Sequence, residues 1–149
     1  MFGEGFLGRG ATFGADLNLL VQIGLGLLLL IGMVFARRGS YRAHGACQSS
    51  ALALAIVMTL VWMWPSFREI YVPDLARGIA NRTTVAVVAH ATLGSAALLL
   101  GVYVVLVAGT SLIPRRFRFQ NYSAWMRTLL VLWWIAIGLG VLTYWFANG

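Results

Sequence analysis

Polar and apolar positions divide this chain into four long apolar runs separated by short polar intervals. Charge-free stretches extend from Leu17 to Ala36, Ala43 to Phe67, Thr83 to Pro114 and Thr128 to Gly149. A helix crossing about 30 Å of hydrocarbon needs about 20 residues at about 1.5 Å each, and every run supplies them. None alternates with period two, so the pattern predicts helices rather than strands of a closed barrel. The expected fold is an all-α integral membrane protein, one domain over 1–149, with spans at about 16–36, 44–64, 83–109 and 123–147. The intervals after the first and third runs are short, so consecutive spans are antiparallel neighbours and an up-down four-helix bundle follows. The longest connection, an outer loop at 65–82, carries Pro65, Pro73 and apolar residues every three to four positions. It reads as short helical pieces at the membrane surface.

Charge orients the bundle. Every cation is Arg, and the net charge is +7. Arg37, Arg38, Arg42, Arg115, Arg116, Arg118 and Arg127 fall on one side with no acidic residue. Arg9, Arg68, Arg77 and Arg82 fall on the other, balanced by Glu4, Asp16, Glu69 and Asp74. The positive-inside rule puts the basic loops in the cytoplasm and both termini outside, as in a bacterial inner membrane. Span-end arginines are explained by topology, so nucleic acid is not an expected partner; the lipid bilayer is. Trp62, Trp64, Tyr71, Tyr144 and Trp145 are expected near the outer interface, while Trp133 and Trp134 lie deep enough to fill a gap between helices or beside a cofactor. Gly24, Gly26, Gly32, Gly138 and Gly140 are expected to allow close helix approach. The Gly-rich first fifteen residues have no basic region leading into a cleavable apolar core, so no signal peptide is expected.

Chemistry is sparse. The single cysteine, Cys47, excludes an internal disulfide. Metal, haem-attachment and phosphate motifs are absent, and Asp16 reads as preceding the first span, which leaves no carboxylate inside one. No catalytic residues are expected, and neither is an enzyme or transporter. Two histidines remain. His44 opens the second span and His90 lies about two turns into the third, so antiparallel helices put them roughly 20 Å apart along the membrane normal. They do not share one haem. Small residues at Ala86 and Gly94, four positions either side of His90, make a shelf on which a haem or chlorin could lie with His90 as axial ligand. The same stripe also suits close helix packing, with His90 hydrogen-bonded to a neighbouring helix. His44, a weaker candidate, has Cys47 one turn on; two such ligands make a poor metal site, and contact of His44 and Arg42 with headgroup phosphates is the plainer expectation.

Leu17-Asn18 opening the first span, the basic stretch Arg37 to His44, His90 within the third span and Gly140-x-x-x-Tyr144 closing the fourth together resemble the CtaM/YozB-like four-helix bacterial membrane proteins. The resemblance covers about Leu17 to Trp145. It implies a role in cytochrome oxidase assembly with a haem connection. It also implies an inner and an outer histidine pair, of which His44 and His90 match one member each; the missing partners fall near Tyr122 and Ser66. The functional expectation is therefore a non-catalytic protein associated with an electron-transfer complex. It would be an accessory subunit among other membrane subunits of a respiratory or photosynthetic complex, or an assembly factor. The alternative is a tetrapyrrole-binding, cytochrome-like protein using His90.

Overall fold

The computed structural model describes residues 3–8, 10–118 and 120–149. Arg9, counted above among the charges of one end, lies outside them. Four helices dominate: α1 (Phe13–Arg37), α2 (Tyr41–Ala76), α3 (Arg82–Gly109) and α4 (Tyr122–Asn148), each long and apolar enough to cross a membrane. Their mean hydropathy is 1.7 to 2.5, and only about a fifth of each apolar window is buried inside the bundle. Leu27, Ile31, Val57, Leu60, Leu99 and Val131 point outward. Apolar side chains inside and out are compatible with a transmembrane helical bundle.

Local chemistry sets the helix starts. Thr12 accepts from the Ala15 N–H to cap α1, and Asn81 and Asn121 accept from Thr84 and Ala124 to cap α3 and α4. Gly39, at φ +75°, provides the left-handed turn between α1 and α2. At the end of α3, Arg118 folds back and donates to the carbonyls of Thr110 and Ile113, both at 2.9 Å.

The second helix departs from expectation. The stretch 65–82, read above as a loop with short helical pieces, stays helical as far as Ala76. Proline removes a backbone donor and crowds the carbonyl four residues back. Here two π-helical turns, Thr59–Met63 and Phe67–Tyr71, bracket Pro65, and the wider turns let the helix continue past it.

The helices form two antiparallel hairpins, α1 with α2 and α3 with α4, and the packing between hairpins is sparser than within them. The core, including Leu25, Leu29, Ala51, Ala97, Leu129 and Trp133, fills the middle of the bundle and extends toward the basic loops. Gly26 admits the α4 side chains: a Cβ there would lie 2.9 Å from Ile137 Cδ1 and 3.0 Å from Trp134. Gly24 and Gly138, expected to do the same, have nothing within 4 Å of a Cβ, so neither serves a helix contact. The seven unopposed arginines gather at the end formed by the α1–α2 and α3–α4 connections, and the two chain termini share the other end.

At that second end the described residues of the Gly-rich tail are joined by backbone hydrogen bonds. Gly5 donates to the Ala11 carbonyl at 2.8 Å and Phe13 to the Gly3 carbonyl at 3.0 Å, closing a loop whose reversal uses left-handed Gly8 and Gly10. The loop is tied to the bundle by Asp16, and this corrects the sequence reading. Helix α1 begins at Phe13, so Asp16 lies inside it, and it is fully buried. Its Oδ2 accepts from the Leu7 N–H at 2.7 Å and its Oδ1 from the Tyr144 hydroxyl at 2.6 Å. No cation pairs with it among the described residues. Its place in the first helical turn also favours negative charge.

Candidate functional site

Between the hairpins, on the side of the chain termini, the bundle is hollow. A partly open cavity of about 700 Å³ is lined by all four helices, within the range of small-molecule sites. The π-helical turns of α2 contribute to its wall, which includes Thr59, Trp62 and Phe67. Trp62 was expected at the interface. Its ring lies over Gly14, at the start of α1 on the terminal end of the bundle, where a Cβ would collide with the indole. Trp133 is buried and forms part of the inner wall, filling the gap expected of it.

His90 lines this cavity. Its Nδ1 lies 2.8 Å from the Ala136 carbonyl of α4. A carbonyl only accepts, so Nδ1 carries the proton, and in the neutral ring Nε2 holds the lone pair. The Ala136 oxygen has a second lone pair for its own helix, so the contact leaves α4 intact. Gly140, one turn above Ala136, makes the notch: a Cβ there would sit 3.1 Å from His90 Cε1. Nε2 has no partner among the described residues and is not among the sealed polar atoms, so it opens on the cavity. An Nδ1–H bonded to a carbonyl is the arrangement that orients an imidazole as a ligand through Nε2.

The shelf residues divide. Gly94 lines the cavity and faces open space, with nothing within 4 Å of a Cβ. Ala86 is buried at 8% exposure and is not part of the cavity wall. The open surface beside His90 therefore runs through Gly94 and Ala97 on the inner side, while on the outer side Val87 rather than Ala86 lines it. The helix-contact reading of His90 and the ligand reading describe the same ring: one nitrogen holds α4 and the other is free.

His44 uses the same device at the opposite end. Its Nδ1 lies 2.8 Å from the Gly32 carbonyl of α1. Gly32 provides the space, since a Cβ there would fall 2.9 Å from Gln48 Nε2 and 3.1 Å from Cys47 Cβ. A helix contact thus occupies one nitrogen of the ring, Nδ1. Among the described residues no three His, Cys, Asp or Glu side chains come together, so His44 and Cys47 gain no third ligand of these types. The two histidines lie in opposite halves of the bundle, as the antiparallel reading requires.

Gln22 and Thr143 of the cavity were not singled out from sequence, and Asn18 only as part of the family resemblance. Asn18 Oδ1 and Thr143 Oγ1 are buried without hydrogen-bond partners, and Gln22, one turn from Asn18, also faces the cavity. No charged side chain belongs to the wall among the described residues. No protein-family model, curated protein or solved structure matches this chain.

Proposed function

We propose that this chain is a multi-pass protein of a bacterial inner membrane, basic loops in the cytoplasm and termini outside, whose bundle holds a small lipophilic molecule for an electron-transfer complex. Its role is that of an accessory subunit or oxidase assembly factor, with no catalytic residues of its own. The observation that carries this reading is the cavity with the His90 Nε2 lone pair open to it. Seven arginines at one end and none of the acids support the orientation. The resemblance to CtaM/YozB-like proteins supports the electron-transfer context.

A second reading, a haem or chlorin ligated by His90, is favoured by the oriented imidazole and the open space at Gly94. When bound, such a group would supply light absorption or electron storage, with His90 as its axial ligand. The uncharged wall offers nothing to pair with carboxylates on a haem, which favours a neutral occupant.

Purification from native membranes in mild detergent tests the proposal. The expected result is co-elution in fixed ratio with a larger complex bearing redox-active chromophores. Elution as a free 16.2 kDa chain under conditions that keep other membrane complexes whole contradicts it. A Soret band that His90→Ala abolishes would select the tetrapyrrole reading.

A further inference from the structure

The polar groups of the cavity define what it would hold. His90 Nε2 is an acceptor, because Nδ1 is committed to the Ala136 carbonyl. Asn18 and Gln22 make no hydrogen bond among the described residues, and Asn18 Oδ1 is sealed without a partner. A half-turn of the Asn18 amide exchanges its oxygen and nitrogen, so this side chain presents either a donor or an acceptor. Helices α1 and α3 stand diagonally across the bundle, so amides and imidazole occupy opposite walls. They lie at matching depths: Gln22 is nine residues into α1 and His90 eight into α3, both about 12–14 Å from the same end. Trp62, Phe67 and Trp133 supply aromatic surface around them.

A ligand that answers this arrangement is neutral, contains a flat ring, and carries oxygen on two opposite edges. One edge donates to the imidazole; the other meets the Gln22 carboxamide. We infer that the cavity binds the head group of a lipid-soluble quinone or quinol, the quinol hydroxyl donating to His90 Nε2 and the opposite ring oxygen held by the Gln22 carboxamide. The inference rests on the ligand-holding reading above and names its ligand class. The apolar tail leaves between the hairpins, where packing is sparse and the cavity is partly open. Binding alone is inferred, with no electron transfer to the protein.

The test uses the full chain in detergent or nanodiscs, titrated with decylubiquinone and with its reduced quinol and followed by tryptophan quenching and calorimetry. Saturable binding is expected. His90→Ala should weaken the quinol about tenfold or more and the quinone less, because only the quinol donates to Nε2. Gly94→Leu extends a side chain into the open space beside His90 without meeting other atoms near its Cβ, and should abolish binding with an unchanged circular dichroism spectrum. His44→Ala, at the other end, should bind as the unaltered protein does. No binding by a folded protein, or binding by the Gly94→Leu and His90→Ala variants equal to that of the unaltered protein, overturns the inference. A tetrapyrrole retained from the native membrane also overturns the ligand class, while leaving intact the reading that the cavity holds a ligand.

Discussion

Asp16→Ala lowers the stability of the bundle by roughly 2–5 kcal/mol and releases the N-terminal tail. The carboxylate is fully buried and accepts from two donors, the Leu7 N–H and the Tyr144 hydroxyl. Deleting it removes the acceptor of both, and a buried donor that loses its acceptor costs about 1–3 kcal/mol. The loss also unfastens the tail, because the Gly5–Ala11 and Phe13–Gly3 hydrogen bonds then hold a short Gly-rich loop against its own entropy. Gly5 packs so tightly on the carboxylate that a Cβ would collide with it, which makes the tail and Asp16 one unit. The thermal midpoint in detergent should fall, and amide exchange at Leu7 and Gly5 should accelerate. Tyr144→Phe should reproduce part of the loss, and the double variant should cost less than the two singles added, since they share one interaction. An Asp16→Ala protein with unchanged midpoint and unchanged exchange would mean that the carboxylate is not the fastening.

The second prediction concerns the contact that closes the cavity on the α1 side. Gly14→Ala places a methyl group inside the space of the Trp62 ring. Alanine gains about 1 kcal/mol of helix propensity over glycine, but forcing the indole out of a packed position costs about 1–3 kcal/mol. The net effect in the unaltered background is destabilising. In a Trp62→Ala background the obstruction is gone, and the same substitution becomes neutral or stabilising. This change of sign, measured by unfolding midpoints of the four proteins in one detergent, isolates the contact. A Gly14→Ala effect of the same sign and size in both backgrounds would remove the Trp62–Gly14 contact from the account.

Some of this architecture is legible in the chain and some is not, for definite reasons. The four spans are visible because lipid demands continuous apolar runs, a signal confined to each segment. The continuation of α2 past Pro65 is not, because proline reads locally as a helix end; two π-helical turns absorb it, and nothing in the residues 59–71 advertises them. Asp16 was set outside the first span because a carboxylate beside an apolar run looks like its boundary. The partners that allow its burial are 9 and 128 residues away, beyond the reach of any local pattern. Thr12, a capping residue four positions earlier, was the available cue that the helix already includes it.

The site divides along the same line. His90 stands out in sequence as an ionisable group in an apolar run. Which of its nitrogens is free depends on Ala136 and on the notch at Gly140, both on another helix. The spacing rule that marked Ala86 and Gly94 as one shelf treats the two sides of the ring alike. In the bundle Ala86 is buried and lies off the cavity wall, whereas Gly94 lies on it with open space beside it. Asn18 and Gln22 share one face of α1 at i and i+4, a polar pair within an otherwise apolar span. That pairing was readable, and it marks the wall opposite the imidazole.

The claim that the hollow half of the bundle holds a ligand is tested most directly by native mass spectrometry of the chain released gently from its own membrane. The account predicts a bound small molecule of several hundred daltons in the unaltered protein and its absence from Gly94→Leu. A ligand-free unaltered protein, or an adduct that persists in Gly94→Leu, would contradict it.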